Sequence, residues 1–140
     1  MTRINVIDPT QLTDQHLMAE YRELPMVMGS LKRTKASKAG WQFSKVPPHY
    51  TLNKGHVYFF TNKKQFLFER FSALIAELRH RGYKISPADR NIDWNVFDGI
   101  PQVNWNPTPS CREVNAERIR TRISEKPNWY RWTNRPSVQI

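Results

Sequence analysis

The chain has 140 residues, and its 22 Lys and Arg against 12 Asp and Glu leave a formal charge of +10 at neutral pH. That length predicts one domain over 1–140 built on one core, and the basic balance points to a polyanion, nucleic acid ahead of an acidic membrane surface. No apolar run reaches the about 18 residues of a membrane span, the N-terminus lacks a signal peptide's apolar stretch, and the lone Cys111 excludes an internal disulfide, which together predict a cytoplasmic protein.

The predicted fold class is mainly α, with three helices, long irregular connections and an aromatic C-terminal tail. The first helix covers 14–37 from a cap at Thr13 or Asp14, with Leu17, Tyr21, Leu24, Met28 and Leu31 forming one apolar stripe. Pro25 lies inside it, so a kink is expected just after Glu23. Residues 39–60 end in Val57-Tyr58-Phe59-Phe60, which reads as a short strand or an extended packing segment. The second helix, 63–81, opens at Thr61 or Asn62, turns Phe66, Leu67, Phe71, Leu74, Ile75 and Leu78 inward, and stops at Gly82. Between Ser86 and Pro109 the chain is irregular, and Trp94, Phe97 and Trp105 predict that it packs on the body of the protein. A third helix, 110–125, starts at a Ser110 cap, runs through Val114, Ile119 and Ile123, and carries Arg112, Arg118, Arg120 and Arg122 on its polar face. After Pro127 the tail interleaves rings and a cation in Trp129-Tyr130-Arg131-Trp132.

Met1 precedes a residue small enough for initiator methionine removal, which would leave Thr2 first. A free α-amine has a pKa of about 7.7–8.0 against about 10.4 for lysine, so a useful fraction is neutral and nucleophilic at physiological pH. Many chains begin Met-Thr without using that amine, so a second group is required. Spacings of four and three put His16, Glu20 and Glu23 on one face of the first helix. Such a face reads either as the ligand set of a divalent-metal nuclease or as a solvated polar surface, and spacing by itself favours the second. Lys32, Arg33, Lys35 and Lys38, with the third helix's arginines and Lys126, suit a surface that tracks phosphates. His56 reads as a structural hydrogen-bonder, and His49 and His80 are given no role. The sequence contains no Gly-rich phosphate loop, nucleophile elbow or zinc spacing.

The runs Met1-Thr2-Arg3-Ile4-Asn5 and Asp14-Gln15-His16-Leu17-Met18-Ala19-Glu20-Tyr21-Arg22-Glu23-Leu24-Pro25 closely resemble the start of the phage-type pyrimidine-dimer DNA glycosylases, the endonuclease V or UV endonuclease family. The similarity continues through Gly55-His56-Val57, Phe59-Phe60, Leu74-Ile75-Ala76-Glu77, Arg81-Gly82, Pro127 and Trp129-Tyr130. It implies a compact helical monomer whose N-terminal segment threads between helices. It also implies a metal-independent, bifunctional DNA N-glycosylase and abasic-site lyase that needs no cofactor and acts on double-stranded DNA containing pyrimidine dimers or abasic sites. In the family an amine attacks the sugar C1′, expels the base and forms an imine, and a carboxylate then assists β-elimination. The duplex is bent and a base opposite the lesion flipped, which a poorly stacked dimer makes easier.

By this resemblance Thr2 and Glu23 are the catalytic residues, and Arg3, His16, Arg22, Arg118, Arg122, Trp129 and Tyr130 the DNA-binding ones. Where the family has an arginine after Leu24-Pro25, this chain has Met26, which bears on dimer specificity. Two alternatives remain at this stage: a basic DNA-binding protein of the same fold with abasic-site lyase activity only or no dimer excision, and a divalent-metal nuclease.

Overall fold

A computed structural model describes residues 4–136. Thr13 caps the first helix, α1 (Asp14–Glu23), its hydroxyl accepting the His16 N–H at 3.0 Å, and Leu17 and Tyr21 face the core. The expected kink is a full break. Leu24 ends the first helix's ladder by donating to Glu20 O at 2.8 Å, and Pro25, which has no N–H to continue it, becomes the first residue of α2 (Pro25–Ala36). The predicted helix over 14–37 is therefore two, and the described residues hold four helices longer than a single turn rather than three.

Val57–Phe60 is not extended. It forms the one-turn helix α3 (His56–Phe59), followed by a 3-10 turn over Phe60–Asn62, and the described residues contain no strand. Phe59 and Phe60, whose run suggested a strand, instead meet each other, Tyr50 and Trp105 edge to face, with centroids 5.1–6.2 Å apart, and Tyr50 stacks on Trp105. Gly55, with φ +93°, makes the turn into α3, and a Cβ there would stand 2.8 Å from the Pro47 ring, so this position admits only glycine without a shift.

Helix α4 (Lys64–His80) continues from the 3-10 turn without a side-chain cap. Thr61, expected as a cap, is buried, donating to Tyr58 O at 2.6 Å and accepting from Trp41 Nε1 at 2.8 Å. Helix α5 (Pro109–Glu125) is capped by Thr108, which accepts the Cys111 N–H at 3.2 Å, with Pro109 at the first helical position; Ser110, the predicted cap, lies inside the first turn. The irregular 86–109 stretch packs as expected. Trp94 stacks on Phe97 and meets Phe71 and Phe68 edge to face, and Trp105 lies against Phe59 and Phe66.

Apolar residues from all these elements form one buried cluster. Through it runs the N-terminal segment Ile4–Ile7, buried along its length. Its backbone groups are met by side chains from four surrounding parts of the chain: Ile4 N–H by His56 Nε2 at 2.7 Å, Ile4 O by the Tyr50 hydroxyl at 2.9 Å, Val6 N–H by Asn115 Oδ1 at 2.7 Å, and Ile7 O by Arg70 Nη1 at 2.6 Å. The expected threading between helices is thus present, and it depends on buried polar side chains.

Candidate active site

Three surfaces converge beside the threaded segment: the outer face of α1, the basic face of α5 and the tail that follows it. They enclose a cavity of about 320 Å³ lined by Asn5, His16, Ala19, Glu20, Glu23, Arg118, Ile119, Arg122 and Tyr130. Glu23, the last residue of α1, is half-buried. Arg118 and Arg122 project together because they are four apart on one helix, a spacing that sequence shows directly. Among the described residues Arg122 has a loose contact of 3.8 Å with the exposed Glu125, while the stronger α5 pairs join Arg120 to Glu113 and Glu117. The carboxylate and two arginines therefore line one recess large enough for part of a nucleotide.

A second cavity of about 320 Å³ lies on the other side of Ala19, lined by Asp14, Gln15, Met18, Arg22, Tyr83, Trp129 and Arg131. Of the proposed DNA-binding residues, His16, Arg118, Arg122 and Tyr130 thus gather with Glu23, whereas Arg22 and Trp129 border the adjoining recess. Thr2 and Arg3 lie outside the described residues.

The tail reaches this place by docking on the start of α1. Gln15 Nε2 donates to Trp129 O at 2.7 Å, Asp14 N–H donates to Arg131 O at 2.7 Å, and Trp132 Nε1 donates to Gln11 O at 3.0 Å. So held, Tyr130 stacks on His16 with centroids 4.9 Å apart and planes 9° from parallel. His16 Nδ1 lies 2.7 Å from the Thr13 hydroxyl, which orients the ring. Trp129 remains 52% exposed with Lys126 above its ring at 5.0 Å, so a planar face stays open to solvent beside a cation.

Two buried ionic networks support the arrangement. Glu20 is 1% exposed and accepts from Arg70 Nε at 2.7 Å, Arg70 Nη2 at 2.9 Å and Asn5 Nδ2 at 2.9 Å, while Asn115 Nδ2 donates to Asn5 Oδ1 at 2.8 Å. This corrects both readings of the His16, Glu20 and Glu23 face. It is not a solvated surface, because Glu20 turns into the core. Nor is it a metal-ligand set, since both Glu20 oxygens are taken by other partners, and the described residues hold no group of three His, Cys, Asp or Glu suited to a cation.

The second network joins α1, α4 and the tail. Arg81, with no exposed side-chain surface, binds Asp14 at 2.9 Å and Glu77 at 2.9 Å, and Arg135 grips Glu77 through Nε and Nη2, each at 2.9 Å. Burial pushes the Asp14 carboxyl up, but hydrogen bonds from Thr133, Arg81 and Tyr83 outweigh it and hold the group below the usual carboxylate range. At Glu77 burial again opposes ionisation, and Arg135 and Arg81 overcome it. The sequence reading missed these residues, taking Asp14 for a helix cap. A signal was available: Arg70, Glu77 and Arg81 fall on the same α4 face as Leu67, Leu74 and Leu78, where a solvated charge has no place.

A half-buried carboxylate, a pair of arginines on one helix face and stacked rings, on an all-α scaffold of strongly basic charge, are the features of a small helical DNA-repair protein. The chain belongs to the pyrimidine dimer DNA glycosylase family, whose sequence profile matches residues 1–91. The match takes in the threaded segment, α1 to α4 and Glu23, and it stops before α5 and the tail that carry Arg118, Arg122, Trp129 and Tyr130. No helix among the described residues is long and apolar enough to cross a membrane.

Proposed function

We propose that the chain is one 1–140 domain that excises pyrimidine dimers from double-stranded DNA and nicks the resulting abasic site, using the Thr2 α-amine as nucleophile and Glu23 as its acid–base partner. The observation that carries this reading is Glu23 in a cationic, aromatic-lined cavity whose wall includes Asn5, three residues from Thr2.

The amine's lone pair attacks C1′, and the glycosidic bond breaks with its electron pair leaving on the base. Opening of the sugar ring gives an imine between the terminal nitrogen and C1′. Glu23 then takes a proton from C2′, and the electrons released expel the 3′ phosphate as the C3′–O bond breaks. Water hydrolyses the imine and returns the amine. Such acid–base assistance is worth about 10²–10⁴ in rate. Arg118 and Arg122 hold the flanking phosphates, Arg22, Arg3 and His16 complete the polar contacts, and Trp129 and Tyr130 offer ring faces to a distorted strand. Each protein acts as a monomer and requires no metal or cofactor.

Borohydride reduction tests the reading. Protein starting at Thr2 is expected to give a covalent adduct with abasic-site DNA in the presence of EDTA, and protein retaining Met1, or acetylated at its terminus, is not. Equal trapping by the Met1 form would overturn the assignment of the nucleophile. Strand cleavage that EDTA abolishes, with no adduct, would overturn the reaction class. Tight salt-dependent binding without cleavage would mark a DNA-binding protein alone.

A further inference from the structure

The amine chemistry needs more than a free terminus: it needs the first residues held still. Resting on that reading, we propose that His56 is a positioning residue for the terminal amine, acting through its hydrogen bond to the Ile4 backbone.

The ring's protonation follows from its partners. Ile4 N–H is a donor only, so His56 Nε2 at 2.7 Å must present a lone pair. The proton therefore resides on Nδ1, which donates to Thr51 O at 2.7 Å. His56 is a neutral imidazole in one tautomer, joining the 50-region loop to the N-terminal segment. It is 4% exposed and boxed by Tyr50, edge-on at 5.7 Å, and Phe60, edge-on at 5.3 Å. Its backbone is fixed by the Gly55 turn against Pro47. Tyr50 adds the second half of the grip by donating to Ile4 O at 2.9 Å.

Both backbone polar groups of Ile4, two residues after Thr2 in the chain, are thus held by side chains of the neighbouring 50–56 segment. Asn115 holds the next stretch, accepting from Val6 N–H at 2.7 Å and donating to Asn5 Oδ1 at 2.8 Å. A displacement of about 1 Å at a reacting centre costs on the order of 10²-fold in rate. A loosened Ile4 grip will therefore slow imine formation while leaving Arg118 and Arg122, on α5, in place.

The test compares His56→Phe, which keeps a flat ring but loses the acceptor, with His56→Gln, which restores an amide oxygen to receive the Ile4 N–H. Single-turnover borohydride trapping on abasic-site DNA is measured beside binding to a duplex carrying an unreactive tetrahydrofuran abasic analogue. His56→Phe is expected to slow trapping at least about tenfold with binding within about threefold, and His56→Gln to recover most of the rate. Tyr50→Phe, which deletes one hydroxyl, provides a second variant if His56→Phe does not fold, and a several-fold slowing is expected at unchanged binding. Rates equal to wild type per folded molecule, or a loss confined to binding, would overturn the positioning role while the amine mechanism stands. Absence of trapping in the wild-type Thr2 form would instead overturn both.

Discussion

Replacing Arg70 by methionine removes the guanidinium from a pair whose members are 7% and 1% exposed. Glu20 is then left with Asn5 Nδ2 as its one remaining partner among those described, at 2.9 Å, and Ile7 O loses its donor. Stranding one member of such a buried pair costs about 3–5 kcal/mol, a large part of a total of about 5–15 kcal/mol. With a urea slope of about 2 kcal/mol per molar, the midpoint should fall by about 1.5–2.5 M. Urea unfolding followed by tryptophan fluorescence at pH 7 reads this directly. Replacing Glu20 by methionine as well removes the stranded charge, and the double variant is expected to recover at least about 1 kcal/mol over Arg70→Met. A single-variant midpoint within about 0.5 M of wild type would mean that water reaches the Glu20 carboxylate once Arg70 is gone, and the argument for a dry pair would fail.

Glu23→Gln should lower strand cleavage by at least about 10²-fold while binding to tetrahydrofuran-site DNA persists; cleavage within tenfold of wild type would remove Glu23 from the mechanism. Arg118→Ala and Arg122→Ala should each flatten the log–log salt dependence of DNA binding by about 0.9, measured by fluorescence anisotropy across a salt series, and an unchanged slope would show that neither meets a phosphate. Met26 is 53% exposed on the first turn of α2, and Arg33 Nη1 lies 3.6 Å from where a Gly29 side chain would begin, so Arg33 reaches back along the same helix toward it. Met26→Arg is expected to tighten binding and raise dimer excision, and no change in either would indicate that another cation already serves that position. Asp14 and Glu77 ionise more readily folded than unfolded, so below about pH 5 the unfolded chain binds more protons. Their contribution is present at neutral pH and is lost as pH falls through the folded values; Arg135→Gln should shrink the acid-side loss in thermal melts, and an unaltered pH profile would refute the coupling.

Much of the architecture is legible in the residues because helix signals are local. The apolar stripes of α1, α4 and α5, the stop at Gly82 and the basic face of α5 all follow from spacing. Val57–Phe60 misleads because a short aromatic run carries no clear period, and contacts with Tyr50 and Trp105, distant in sequence, select the helical turn. Pro25 marks an interruption correctly, but whether a proline bends one helix or begins another depends on how each half packs. Of the site, Glu23, Arg118 and Arg122 are named by the family resemblance; spacing places Arg118 and Arg122 on one helix face but does not tell Glu23 from Glu20. His56, read as a structural hydrogen-bonder, is one, but Asn115 cannot be singled out, since nothing local tells a buried asparagine from an exposed one.

The sequence by itself determined the helical class and the excess of positive charge, since composition and short-range periodicity encode them. Only the tertiary structure decided that Glu20 faces Arg70 in the core while Glu23, three residues on, opens into a cavity with Arg118 and Tyr130. The physical reason is that a charge leaves water only where a partner is already in place, and here those partners are 50 residues from Glu20 in Arg70 and 67 from Asp14 in Arg81. No local reading of the chain can supply that pairing.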